Sequence, residues 1–249
     1  MAVEVSTKGL VEIASHEGIV PMPYFDSVGV LTFGIGHTRF AGEPFPEELP
    51  RGVAQPLDMV FDLFREDIGR YSRDVLSAVK VPVEQHEFDA LVSFHYNTGG
   101  IRRASLTKAL NKGDRARAAD KFMAWRKPTE IIGRRRREQS LFRNGTYTSG
   151  GYATVLRATK SGRVLWSSGK RMNVMALLGD DQTDKPITAV LRPGSVGSDV
   201  RRLQKALSII VDGSFGPMTR AAVMDYQDRN ELDIDGIAGP QTLGRLGLA

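Results

Sequence analysis

The stretch STKGLVEIASHEGIVPMPYFDSVGVLTFGIGHT, residues 6–38, changes its periodicity halfway along. In its first half Leu10, Ile13, Ala14 and Glu17 fall at i, i+3, i+4 and i+7, the spacing of one helix face. Ser6 or Thr7 can cap the start of that helix, and Gly18 can end it in a left-handed conformation. In the second half Tyr24-Phe25-Asp26 leads through Ser27-Val28-Gly29 into Val30–Ile35, which predicts a β-hairpin. Alternation places Val30, Thr32 and Gly34 on one face of the second strand, and Leu31, Phe33 and Ile35 on the other.

Three residues of this unit carry chemistry. Glu17 is expected on the apolar face, in the last turn. Low polarity and the negative helix end both disfavour a carboxylate, so its pKa is expected to rise towards that of a general acid. Asp26 closes the first hairpin strand among polar neighbours and is expected to stay ionised, with Thr32 close to it. Two carboxyls in unlike environments suit glycoside hydrolysis: one protonates the leaving oxygen, and the other stabilises positive charge or activates water. Taken singly, Glu17 reads as a surface residue and Asp26 as a turn former; the joint pattern reads as a site.

Outward from this unit the pattern turns helical between Asp58 and Asn111. Leu63, Phe64, Asp67 and Ile68 make one stripe, and Phe88, Leu91, Val92 and His95 another, before the breaker Asn97-Thr98-Gly99-Gly100. Residues 145–185 change character. TVLRA and RVLW can form two strands around Thr159–Gly162, belonging either to the first domain or to a bridge, and Gly179–Pro186 reads as a linker. In the tail Asp212-Gly-Ser-Phe-Gly-Pro-Met-Thr219 recurs 23 residues later as Asp235-Gly-Ile-Ala-Gly-Pro-Gln-Thr242. Each copy turns at Asp-Gly and starts a helix at Gly-Pro. Val200, Leu203 and Leu207 form the stripe of an earlier helix, and Ala221, Ala222 and Tyr226 that of a later one.

Composition narrows the function classes. With no cysteine among 249 residues, disulfide scaffolds, thiolate metal sites and cysteine nucleophiles are excluded. Four histidines without HExxH give little support to a zinc peptidase, and no cofactor or metal is expected. The N-terminal segment, with Glu4 and no long apolar run, reads as neither secretory signal nor membrane anchor. The net charge of +5 conceals an asymmetry. Residues 1–101 hold 7 Lys+Arg against 15 Asp+Glu, residues 102–143 hold 14 against 4, and residues 186–249 hold 7 of each. A basic segment of this kind suits an anionic polymer or, equally, a set of solvated helix faces. Arg134–Arg137 continue into Glu138-x-x-Leu141-Phe142 at helical spacing without interleaved aromatics. This favours a solvated face over nucleic-acid binding.

The pattern E-x8-D-x5-T, set in Glu17-Gly18 … Pro23–Asp26 … Leu31–Thr38, resembles the bacteriophage-type lysozymes, glycoside hydrolase family 24. Ala90–Phe94, Asn97-Thr98-Gly99, Ser105-Leu106 and the arginine run extend the resemblance over roughly residues 5–145. It implies a muramidase that hydrolyses the β-1,4 bond between N-acetylmuramic acid and N-acetylglucosamine, with inversion. Glu17 is then the acid, and Asp26 and Thr32 handle the water. The implied substrate cleft is lined by Tyr24, Gly36, His37 and Phe94, with Ser105 nearby. His37, following Gly-Ile-Gly, also reads as a hydrogen-bonded structural residue. Glu130-Ile131-Ile132-Gly133 replaces the family's usual Gly-Leu, so which arginine of 134–137 approaches Glu17 stays open.

The tail resembles a small three-helix peptidoglycan-binding domain through Leu191-Arg192-x-Gly194-Ser195-x-Gly197, Asp212–Thr219 and Ala222-Val223-x-x-Tyr226-Gln227, with a shortened loop between Leu207 and Asp212. The expected fold is α+β: a mainly helical lysozyme-like catalytic domain with a small β-hairpin lobe (1–148), a linker with a hairpin (149–188) and a three-helix module (189–249). Peptidoglycan is the expected partner of a monomer that binds no nucleic acid and does not insert stably in a membrane. By family analogy the protein is made in the host cytoplasm and reaches the wall through a holin lesion. A lytic transglycosylase and a non-catalytic wall-binding protein are the rival readings.

Overall fold

The computed structural model describes residues 4–178, 186–195, 197–209 and 213–249. The expected linker core, Gly179–Lys185, lies outside the described residues, as do Asp212 of the first tail repeat and part of the loop before it. The chain divides into a unit of Met1–Gln55 with Leu63–Leu178 and a second unit of Pro56–Asp62 with Gly179–Ala249.

In the first unit, helix α1 (Thr7–Glu17) starts at Ser6, whose hydroxyl accepts from Gly9 N at 3.0 Å. It ends at Gly18, which has the expected positive φ of 75°. Its face of Leu10, Val11, Ile13 and Ala14 is buried. A three-stranded antiparallel sheet follows, in the order β1 (Val20–Phe25), β2 (Leu31–Gly34), β3 (His37–Thr38). The hairpin is the expected one; the third strand adds to it, pairing Phe33 with His37 and Thr32 with Thr38.

Helices α2 (Leu57–Ala78), α3 (Gln85–Thr98), α4 (Ser105–Leu110), α5 (Arg115–Lys121) and α6 (Ile132–Asn144) form the helical part. The predicted stripe residues Leu63, Phe64, Ile68, Phe88, Leu91 and Val92 are all buried. Each contributes ~1.5–3 kcal/mol by leaving water. Gly99, at φ 58°, closes α3 in the left-handed region, with its N–H on His95 O at 2.7 Å.

Residues 149–178 are not a connecting segment. Strands β4 (Tyr152–Ala158) and β5 (Val164–Asn173) form an antiparallel hairpin within the first unit, followed by the short helix α7 (Met175–Leu178). Ile19 donates to Thr154 O at 2.9 Å and accepts from Leu156 N at 2.8 Å, and Phe25 N donates to Gly162 O at 2.8 Å. Leu156 and Ala158 pack on Val20 and Met22. The buried residues of β4, Ala153, Leu156 and Ala158, need this cover, which removes them from a solvated linker.

The second unit contains α8 (Ser198–Ala206), α9 (Pro217–Arg229) and α10 (Pro240–Arg245), around Leu191, Val200, Leu203, Phe215, Val223 and Leu243. Both later helices begin on proline, as the repeat predicts. The buried stripe of α9 is Thr219, Val223 and Gln227, whereas Ala221 is exposed and Ala222 and Tyr226 are only half-buried. The expected Ala221–Ala222–Tyr226 stripe is thus displaced by polar residues. The reason lies in the repeat: Gln204 binds Gly213 N and Thr219 Oγ1, and Gln227 binds Gly236 N and Thr242 Oγ1. A buried glutamine staples each Gly turn to the following helix, satisfying donors that burial would otherwise leave unpaired.

Candidate active site

Glu17 ends α1 with its side chain 27% exposed, and its Oε1 accepts from Arg134 Nη1 at 2.5 Å. The apolar setting expected for this carboxyl is therefore corrected to contact with a guanidinium. Arg134 in turn donates through Nε to Glu138 Oε1 at 2.9 Å and through Nη2 to Ser93 O at 3.2 Å, and Ser93 Oγ donates to the same Glu138 oxygen at 2.8 Å. Arg135 pairs with Glu138 Oε2, donates to Asn97 Oδ1 and lies over the Phe94 ring at 5.1 Å.

The arginine run is thus only half a solvated face. Arg134 and Arg135 are buried, and Arg136 and Arg137 are exposed. Burial opposes the charge on Arg134, but Glu17 and Glu138 outweigh it and raise its pKa. Burial pushes the Glu138 carboxyl up, against the pull of Arg134 and Arg135. An isolated buried charge costs several kcal/mol, so this cluster holds only as a set.

Asp26 and Thr32 meet on the hairpin. Asp26 Oδ1 accepts from Val28 N at 2.9 Å and Val30 N at 2.8 Å, and Asp26 N donates to Val30 O at 3.0 Å. Thr32 stands opposite Tyr24, diagonal to Asp26 on the same face, with its hydroxyl on Val30 O at 3.0 Å. Tyr24 feels the charge of both carboxyls. Burial first, and then the charges of Glu17 and Asp26, raise its pKa and keep its hydroxyl protonated. Tyr24 thus stands beside Thr32 and within electrostatic reach of Glu17 and Asp26.

The implied cleft residues separate in the structure. Gly36 is exposed and borders a pocket of about 420 Å³, with Thr38, Phe40, Tyr71 and Tyr96 also in its wall. His37 is 2% exposed, its Nδ1 2.9 Å from Asp67 and its Nε2 3.2 and 3.1 Å from Gly42 O and Pro44 O. Both ring nitrogens are engaged, so it ties the 39–44 loop to α2 rather than lining a cleft. Phe94 is wholly buried, edge-on to Phe122 and Trp125; its ring lies under the Arg135 guanidinium rather than in a cleft wall. Ser105 is exposed at the start of α4 with no hydrogen bond to the Glu17 group among the described residues.

Sequence reasoning passed over Tyr96, gave Glu138 no part in the site, and left open which arginine of 134–137 meets Glu17; it is Arg134. The i,i+4 spacing of Arg134 and Glu138 is a readable helix pair, but only the fold brings it to Glu17. Tyr96 donates to Ile35 O, and burial is the largest cause of its raised pKa, followed by Glu17. Among the described residues no group of His, Asp and Glu side chains is placed to hold a metal ion.

The model of the phage lysozyme family matches residues 14–140, and that of a peptidoglycan binding domain matches residues 196–246. The endolysin of Salmonella phage P22 is 32% identical over 145 residues, 56% of this chain and 97% of that protein. The endolysin of Bacillus phage PZA is 32% identical over 183 residues, 68% of this chain and 69% of that protein. Among solved structures, the endolysin from Escherichia coli O157:H7 phage FAHEc1 is similar at a TM-score of 0.53 and 29% identity, covering 58% of this chain and 96% of that one.

Proposed function

Because this chain belongs to the phage lysozyme family, we propose that it hydrolyses the β-1,4 bond between N-acetylmuramic acid and N-acetylglucosamine, with Glu17 as general acid. The observation that carries this reading is Tyr24, paired with Thr32 across the hairpin and within electrostatic reach of both Glu17 and Asp26. Arg134 holds Glu17 Oε1, which fixes the plane of the carboxyl and leaves Oε2 for the glycosidic oxygen. Proton transfer from Oε2 releases the leaving sugar as positive charge develops at the anomeric carbon.

Asp26 and Thr32 hold the attacking water. Asp26 Oδ1 is committed to Val28 and Val30 N–H, so the second oxygen accepts the water proton, and the Thr32 hydroxyl helps to orient it. The carboxylate on the far side of the sugar then gives inversion. Tyr24, kept neutral by its surroundings, contributes a hydrogen bond rather than a charge.

Residues 189–249 hold the enzyme on peptidoglycan through the domain matched at 196–246. No described helix is long and apolar enough to cross a membrane. A monomer made in the host cytoplasm and released to the wall by a holin fits the relatives among phage endolysins.

Mass spectrometry of digested sacculi tests the reading. Reducing muramic ends are expected; anhydro-muramic ends would assign a transglycosylase instead, and absence of products a binding protein. Glu17→Gln should lower turnover by ~100- to 10,000-fold while sacculus binding persists. Undiminished lysis by that variant would overturn the role of Glu17.

A further inference from the structure

A second pocket, of about 260 Å³, takes no part in the reaction described above. Its wall includes Ser15 of α1, Arg137 of α6, Thr148 and Ser149, and Thr154 and Arg171 of the β4–β5 hairpin. Unlike Arg134 and Arg135, its two arginines have no carboxylate partner among the described residues. Arg137 has only a long contact of 3.5 Å to His16 Nδ1, and Arg171 lies over the Tyr152 ring at 4.4 Å.

Glu12 is buried behind this wall and directed at the 148–149 loop. It accepts from Thr148 N and Ser149 N at 2.9 Å each, and from Thr148 Oγ1 at 2.5 Å. The Ser15 hydroxyl also points inward, donating to Glu12 O at 2.7 Å. What remains open towards solvent is a pair of guanidiniums, a polar wall and one compensated carboxylate behind it. Planar guanidinium donors match a carboxylate in two parallel hydrogen bonds.

Location narrows the ligand. Ser15 precedes Glu17 by two residues on α1, and Arg137 follows Arg134 by about one turn of α6, exposed where Arg134 is buried. One residue of the pocket wall, Arg137, therefore sits about one helical turn along α6 from the arginine that contacts Glu17. We infer that it binds a free carboxylate of the peptide stem carried by the glycan, with Arg137 and Arg171 as donors. This rests on the muramidase reading and adds a substrate preference to it. A glycan chain held at the scissile bond carries its peptide alongside, within reach of the next helical turn.

The test uses the full chain and three soluble substrates: peptide-free glycan, glycan with stems bearing free carboxylates, and the same glycan with those carboxylates amidated. Arg137→Ala and Arg171→Gln should each raise KM about tenfold on the free-acid substrate, the scale of one charge-assisted hydrogen bond. Their kcat there, and both constants on the other two substrates, should stay as in the wild type. Thermal unfolding confirms that each variant is folded, since neither arginine makes an ion pair among the described residues. Equal effects on all three substrates, or none on any, would overturn the pocket's role while cleavage of peptide-free glycan upholds the muramidase reading. A wild type that cleaves none of them overturns both. Inhibition by inorganic phosphate as strong as that by a free stem peptide would reassign the pocket to phosphate groups.

Discussion

Burying a guanidinium is costly, yet Arg135 is wholly sequestered and Arg134 is only 9% exposed. The cost is met by carboxylates reaching them from two directions: Glu138 from the same helix and, for Arg134, Glu17 from α1. His16, next to Glu17, bears the consequence. Burial, and then the charges of Arg134, Arg137 and Arg135, lower its pKa from 6.5 to about 3. The unfolded chain therefore binds a proton below pH 6.5 that the folded chain excludes, and stability falls as pH drops from there towards about 3. His16→Gln should remove this contribution, which is at most ~1.4 kcal/mol per pH unit for one group. Urea unfolding of both proteins between pH 7 and 4 checks it, a parallel pair of curves being the contrary result. The residue types of the arginine run were readable in the chain, but the depth of each was not, because depth depends on what packs over the helix.

Between β2 and β3 the chain turns through Gly36 at φ 84°, and a Cβ there would lie 2.7 Å from Tyr96 Oη. Conformation and space both demand glycine at this one turn. Gly36→Ala should cost ~1–3 kcal/mol, read by chemical denaturation, and should lower activity by shifting the pocket wall. Combining it with Tyr96→Phe should recover part of the loss by removing the clashing oxygen; purely additive effects would count against the contact. Hairpin, helix α1 and the paired stripes of α2 and α3 followed from periodicity, since each element buries one face. Strand β3 was too short for alternation to mark. The α9 stripe eluded the pattern because glutamine and threonine at its core positions look solvent-facing until their partners 15 residues away are known.

At the scale of the molecule, the proposed function divides the labour between cutting by the region matched at 14–140 and holding by the region matched at 196–246. Removing residues 186–249 should weaken co-sedimentation with sacculi several-fold while leaving turnover on short soluble glycan within about twofold, since tethering raises local concentration without altering the chemistry. Circular dichroism establishes that the truncated chain is folded. Equal pelleting of both forms would remove the holding role from the second unit. The basic surplus of residues 102–143 resolves into two kinds of charge, those locked inside on carboxylates and those left at the surface.

The sequence by itself determined α1, the hairpin and the tail repeat, because each is written in local periodicity and turn chemistry. It also singled out Glu17 with Asp26 and Thr32. Only the tertiary structure decided what touches Glu17. Its expected apolar neighbours gave way to Arg134, 117 residues distant in the chain. Likewise His37 and Phe94 became supports, and residues 149–178 became part of the first unit. Such contacts pair groups whose complementarity is electrostatic and long-range in sequence, and no local pattern encodes which buried carboxylate a given arginine will meet.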